Sequence, residues 1–364
     1  MRFGDRLDSI SPLILLCALL LTGCMGTPVV AETPSPWPEF RGPYSNGHAA
    51  PKATVPLHWS ETENITWKTA LPYSGWSSPV IEEDVLWMTA ATEEGHDFYV
   101  IGVNADSGKI VYEEPLFQCE TPEVLGNAVN GYASPTSAIS DGRLYVHFGS
   151  YGTACIDTTT RKVLWKREDL KCRHYRGPGS SVILFEDLLI LTFDGVDFQY
   201  VTALNCATGE TVWRTDRTTH WNDLDETGKP KNDGDLRKAF STPVITEVKG
   251  KPLLLSVAGS AAFGYDPRTG REIWSMATPG FTPSIRPVLH NGLAMFGLGY
   301  GTREFRAIRL DGTGDVSDTH VAWSFTEKPA MPDTPSPVVV DGLLYIVSDR
   351  GIVSCLEAET GTVV

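Results

Sequence analysis

SPVVVDGLLYIVSDRGIVSCLEAETG, residues 336–361, decides the fold. Apolar residues alternate through Val338–Val340 and Leu343–Val347, the period of two expected of half-buried strands. Asp341-Gly342 lies between them and suits a tight hairpin, whose central residues need φ > 0. Gly351 makes a second turn, Ile352 to Leu356 reads as a third strand, and Thr360-Gly361 begins a third turn. A meander of this kind has two faces and cannot bury both alone, so it needs copies of itself on either side.

Copies run through the chain. Each opens with Ser/Thr-Pro or a near relative, passes through a turn and a strand to Thr-Gly, and ends on an aromatic four residues beyond that glycine. Ser78-Pro79 leads through Ser107-Gly108 to Tyr112, and Ser134-Pro135 leads through Thr160-Arg161 to Trp165. Ser180-Ser181 leads to Trp213, Thr242-Pro243 to Trp274, and Arg286-Pro287 to Trp323 with an insertion after its turn. Ser336-Pro337 leads to Thr360-Gly361, and the sequence stops at Val364, one residue before the expected aromatic. A repeat of roughly 45–60 residues signals a propeller or stacked array, and its length suits blades of four antiparallel strands. The expected fold is all-β, a β-propeller with repeats at about 75–112, 132–165, 178–213, 239–274, 283–323 and 334–364. One Trp per blade would fill the wedge between neighbouring sheets, which accounts for much of the count of 10 Trp.

Composition agrees. Helical periodicity is weak, and 34 Gly with 25 Pro supply many short turns. Net charge is −15, which repels a phosphate backbone and excludes nucleic acid as a partner class.

The N-terminus reads as a targeting segment, residues 1–24, with an apolar run from Pro12 to Leu21 too short to span a bilayer. It closes on Leu21-Thr22-Gly23-Cys24, which resembles a bacterial lipobox; the resemblance makes Cys24 the lipidated residue and the membrane contact a lipid anchor only. A Pro/Thr/Ser tether follows over 25–36, and then Trp37-Pro-Glu-Phe-Arg-Gly-Pro-Tyr-Ser-Asn-Gly47, whose aromatics suit docking on the propeller. Trp67-Lys-Thr, within residues 57–71, resembles the last strand of a repeat but has no strands of its own before it. It is expected to close the ring by completing the last blade, since propellers hide sheet edges this way.

The segments leading into each first strand should gather at one mouth of the central channel. They place Trp76, Asn130, Tyr132, Arg173, His174, Arg176, Arg237, Lys238 and Phe240 on a candidate ligand rim. The stretch from His220 to Asp235 is an insertion; Asp223, Asp225 and Gly228 faintly suggest a calcium loop, but Gly234 falls where its bidentate Glu should be, and a solvated hairpin is expected. Cys155 and Cys355 occupy the same small inward position as Ala203 and Gly264 and read as buried filler. Cys119 and Cys172 each follow their blade's aromatic by seven residues, so they lie on equivalent loops of adjacent blades and are expected to pair as a disulfide.

The Ser-Pro-Val openings, the Asp-Gly-Leu-Leu-Tyr turn and the Ala-x-x-x-Thr-Gly-x-x-x-Trp closings resemble the PQQ-type (pyrroloquinoline quinone) β-propeller repeat of quinoprotein alcohol dehydrogenases and of BamB, a lipoprotein of outer-membrane protein assembly. The Trp37-Pro-Glu-Phe-Arg-Gly-Pro lead-in resembles secreted propellers of planctomycete-like bacteria. The resemblance covers about 37–364 and implies about eight blades, so six repeats suggest a chain truncated at its C-terminus, or a six-bladed ring closed by Trp67. It implies PQQ and Ca²⁺ as cofactors to weigh. The quinoproteins' vicinal Cys-Cys is absent here and no Glu/Asn/Asp calcium set can be placed, so no cofactor is expected. The expected function is a non-catalytic exported propeller, at the periplasmic face of the outer membrane or the cell surface, whose channel-mouth loops bind a protein or glycan. The alternatives are a quinone- or metal-dependent oxidoreductase and an outer-membrane protein assembly factor.

Overall fold

The computed structural model describes residues 36–364 apart from 127, 303 and 329. The leader, Cys24 and most of the tether lie outside the described residues. Among those described, no helix is long and apolar enough to cross a membrane.

Six antiparallel sheets follow one another along the chain, each a meander in sequence order. The first is β1 (Val80–Glu82), β2 (Val85–Ala91), β3 (Asp97–Asn104) and β4 (Ile110–Gln118), and the second is β5 (Ala138–Ser140), β6 (Arg143–His147), β7 (Thr153–Asp157) and β8 (Val163–Arg167). The third is β9 (Ile183–Phe185), β10 (Leu188–Asp194), β11 (Gln199–Asn205) and β12 (Thr211–Asp216). The fourth is β13 (Val244–Val248), β14 (Lys251–Ala258), β15 (Ala261–Tyr265) and β16 (Glu272–Ala277). The fifth is β17 (Val288–His290), β18 (Leu293–Gly297), β19 (Phe305–Arg309) and β21 (Val321–Phe325), with β20 (Gly314–Asp315) inserted along the chain between β19 and β21. The sixth has β22 (Val338–Val340), β23 (Leu343–Val347) and β24 (Val353–Glu357). This is the β-propeller architecture expected from the repeats.

The turn chemistry is as the sequence requires. Asp341 and Gly342 between β22 and β23 have φ of 50° and 79°, both left-handed, which matches the twist of the flanking strands. The insertion in the fifth repeat leaves its own blade: β20 pairs in parallel with β16 and adds a fifth strand to the fourth sheet.

Hydrophobic clusters lie between successive sheets rather than within them. One joins sheets one and two around Trp87, Phe98 and Phe148; others join two to three, three to four, four to five and five to six. The anchor aromatics explain how adjacent blades lock. Across each third and fourth strand a small residue faces the aromatic: Gly102 faces Tyr112, Cys155 faces Trp165, Ala203 faces Trp213, Gly264 faces Trp274 and Ala307 faces Trp323. A Cβ at Gly264 would lie 2.3 Å from the Trp274 ring, so bulk is excluded there.

Each Trp then reaches the following blade. Trp165 lies on Gly209 and donates to the Cys206 carbonyl at 3.0 Å; Trp213 lies on Gly270 and donates to Pro267 O at 3.0 Å; Trp323 lies on Gly361 and donates to Ala358 O at 3.1 Å. The Thr-Gly of the repeat is therefore the socket for the preceding blade's indole. Where the aromatic is Tyr112 and needs no such socket, the turn carries Arg161, which donates to Val111 O at 2.7 Å. Where the insertion replaces the turn, Trp274 is buried with its N–H unpartnered.

Trp67 uses the same device. It lies on Gly108 and donates to Ala105 O at 2.7 Å, standing where the outer strand of a preceding blade would stand. The expected ladder with the last blade is not formed: residues 61–72 contain no strand, and the outer side of β24 is met by a bridge from Leu356 to Val363. The indole supplies its own anchorage on the first blade, and nothing in that contact requires a strand partner.

The expected disulfide is also not formed; Cys119 and Cys172 are separate thiols. The two loops begin alike but diverge. Cys119 continues the β4 edge, its N–H donating to His96 O at 2.8 Å, whereas Cys172 turns into the core of the second and third blades beside Phe193 and His174.

Candidate functional site

Two residues before each first strand stands a polar residue: Ser78, Thr136, Ser181, Thr242, Arg286 and Ser336. Four of the side chains link blade to blade. Thr136 Oγ1 accepts the Ser78 N–H at 2.9 Å, Ser181 Oγ accepts that of Thr136 at 3.0 Å, Thr242 Oγ1 accepts that of Ser181 at 2.9 Å, and Ser336 Oγ accepts that of Arg286 at 3.1 Å. In the second blade the participating residue is Thr136 and not Ser134 of the Ser-Pro pair, a register two residues later than the dipeptide suggests.

Arg286 breaks the relay and has another task. Its guanidinium is buried, donating to the Phe40 carbonyl and pairing with Glu39 at 3.1 Å. It thereby holds the segment Trp37–His48 across the first strands. Trp37 pairs with Ile81 through two backbone hydrogen bonds of 3.0 and 2.9 Å, Pro38 O accepts from Ile139 at 2.8 Å, and Arg41 donates to Pro337 O. His48 meets Val339 O at 2.8 Å. The segment touches blades one, two, five and six and crosses the channel as a plug.

Above the plug the mouth opens into a cavity of about 720 Å³, within the range of small-molecule sites. Its floor is Phe40 with Thr136, Ser181, Thr242 and Ser284, and its walls carry Trp76, Phe240, Phe281 and Tyr300. Trp76 and Tyr300 are 67% and 58% exposed. Phe281 backs Tyr300 edge-on at 5.9 Å. Arg176 forks onto Asp235 at 2.8 and 2.9 Å, and Asp333 completes the charged lining.

Of the rim residues expected from sequence, Trp76, Asn130, Arg176 and Phe240 line this cavity. Asn130 is a clamp: its amide donates to Arg176 O at 2.9 Å and Pro178 O at 3.0 Å, and its oxygen accepts from Ser134. The other five face elsewhere. Tyr132 is buried and donates to Glu123 O at 2.8 Å; Arg173 pairs with Glu123 at 2.7 Å; Arg237 pairs with Asp223 at 2.7 Å. His174 and Lys238 are buried together, Lys238 Nζ donating to His174 O. Burial pushes Lys238 down to about 8 and, with Lys238 adding its charge, holds His174 well below the usual imidazole range. Burial likewise lowers nearby His147 to about 3. These buried groups are internal struts.

The acidic insertion is also tied internally. Asp223 serves Arg237, and Asp225 Oδ1 accepts from Thr227 and Lys229 within its own turn.

Phe40, Tyr300, Asp235 and the floor hydroxyls were not on the expected rim. Tyr300 had a usable signal: the loop between second and third strands opens on the same side as the lead-in to the first strand, and Gly297-Leu-Gly-Tyr-Gly301 is that loop.

Comparison with known proteins follows this geometry. The family "Outer membrane protein assembly factor BamB" matches residues 197–364. BamB from Moraxella catarrhalis is similar in structure, with TM-score 0.59 and 16% identity over 83% of this chain and 79% of that one. A europium-containing methanol dehydrogenase gives TM-score 0.47 and 12% identity over 82% of this chain and 79% of that chain. Quinohemoprotein alcohol dehydrogenase from Comamonas testosteroni gives 0.45 and 12% over 90% and 72%. No curated protein sequence matches this chain.

Proposed function

We propose that this PQQ-type β-propeller repeat protein is a non-catalytic, exported binding propeller whose channel mouth receives a protein or glycan partner. The observation that carries the reading is the mouth itself: a cavity of about 720 Å³ walled by exposed aromatics, set on loops that the blade junctions hold rigid. Export and anchoring at the outer membrane are supported by the Leu21-Thr22-Gly23-Cys24 run and by the family that matches residues 197–364.

The oxidoreductase alternative asks whether the mouth suits a quinone. PQQ carries three carboxylates. The charged side chains lining the mouth are Arg176, Asp235 and Asp333, two acids to one base, and Arg176 is already forked onto Asp235. That set does not fit a tricarboxylate, because its one base is already engaged by Asp235 and leaves no cation among the described lining residues for three added carboxylates. The family match keeps outer-membrane protein assembly as the second reading.

The test is reconstitution beside binding. The mature chain is incubated with PQQ and Ca²⁺ and assayed for bound-quinone absorbance and dye reduction, and separately titrated with envelope proteins and glycans. Quinone absorbance with dye reduction would refute the reading. Saturable binding that Trp76→Ala or Tyr300→Ala abolishes is the expected result.

A further inference from the structure

We propose that the mouth takes an uncharged carbohydrate; this rests on the reading of the mouth as a binding seat. Four features converge on that chemistry. Trp76 and Tyr300, from the first and fifth blades, stand 67% and 58% exposed on the walls of one cavity, so two flat apolar faces are presented to a ligand entering it. The C–H faces of a pyranose stack on such rings, as any apolar face does on an aromatic wall.

The floor supplies donors. Thr136, Ser181 and Thr242 each accept a backbone N–H from the preceding blade. A hydroxyl has one hydrogen and two lone pairs, so each keeps its O–H to give, and these hydrogens have no acceptor among the described residues. Sugars are dense in acceptor oxygens, and three O–H donors spaced one blade apart match a ligand longer than one ring.

The charge favours a neutral ligand. The one base of the lining, Arg176, is already forked onto Asp235, so among the described lining residues no cation is left to hold an anion. An extended peptide is disfavoured for a different reason. Strand addition needs a row of available backbone N–H and C=O groups, whereas the N–H groups of Ser78, Thr136 and Ser181 at this floor are already taken by the neighbouring hydroxyls.

The experiment titrates the mature chain with cellohexaose, xylohexaose and mannohexaose as neutral probes, hexagalacturonate as an anionic one, and a Val/Thr-rich strand peptide, following tryptophan fluorescence and calorimetry. Trp76→Ala and Tyr300→Ala test the walls, and Trp59→Ala, at an exposed tryptophan outside the cavity lining, is the control. At least one neutral probe is expected to saturate, with affinity about tenfold weaker in each wall variant and unchanged in the control. No saturation by any neutral probe up to about 10 mM, far above the weakest useful affinities, overturns the inference. So does stronger binding of hexagalacturonate. If the peptide binds in a Trp76-dependent way while the sugars do not, the carbohydrate assignment falls and the binding seat stands. If nothing binds, both fall.

Discussion

Replacing Arg286 by serine tests the plug. The change puts a hydroxyl where the other five blades have one and removes the cation that holds Glu39 and the Phe40 carbonyl. Stripping one partner from a buried pair costs about 3–5 kcal/mol when the other charge stays buried. Glu39 need not stay: its segment can leave the channel. The cost is then capped by what undocking loses, chiefly the two Trp37–Ile81 hydrogen bonds, the Ile139–Pro38 bond and the His48–Val339 contact. At about 0.5–1.5 kcal/mol net each, those four sum to about 2–6 kcal/mol, the same size as the stranded charge. Arg286→Ser should therefore bring the plug's opening within reach, by about 3 kcal/mol, or a factor of about 150 in open population. Two readouts see it. Amide exchange at Trp37 and Ile81 should accelerate by about that factor while exchange in β10 and β11 stays slow. Trypsin should cut at the half-buried Arg41, before Gly42, in the variant and not in the parent. Unchanged exchange at Trp37 and Ile81 would refute the latch, and uniform acceleration through the blades would make Arg286 a core residue rather than a latch.

Three further outcomes are expected. Trp213→Ala removes a buried indole and its bond to Pro267 O, and should lower stability by about 3–5 kcal/mol in urea titration; a loss below about 1 kcal/mol would mean the socket is not what joins blades three and four. His147 is depressed to about 3 in the folded chain against 6.5 free, so the unfolded chain binds the proton first and stability falls as pH drops below 6.5, by about 2 kcal/mol at pH 5 from this group; His147→Phe should flatten that limb. Lys238, at about 8 folded against 10.5 free, has the same consequence in a window on the alkaline side. Between those values only the unfolded chain holds the proton, so its contribution to stability rises with pH across that window, and Lys238→Met should remove the rise.

The fold was legible because its determinants are local and repeated. Asp341-Gly342 fixes a turn within two residues, and Thr-Gly with Trp recurs at each junction that uses the socket. What the repeat could not convey is where one copy departs from the others. Arg286 occupies a hydroxyl position, and its partners Glu39 and Phe40 lie nearly 250 residues away with no periodic signal between them. His174 and Lys238 sit in mouth loops by sequence yet fold inward, where Lys238 Nζ donates to the His174 carbonyl. Cys119 and Cys172 are equivalent by count and not by direction. Equal spacing from an anchor fixes how far along a loop a residue lies, and says nothing of which side of the sheet the loop then takes.

The indole-and-socket contact gives the array a direction. The first five blades offer a tryptophan or tyrosine at one flank, and wherever the turn at the other flank is kept a blade carries both halves of its couplings wherever it is placed. Duplicating a whole blade creates a new junction from parts already present, and deleting one rejoins its neighbours through the same contact. Blade number can thus drift by whole units at little cost to any single junction. The passage from the fourth blade to the fifth is the exception: there Trp274 has lost its acceptor and β20 lies over the outer edge. Those two blades are a matched pair, exchangeable only together.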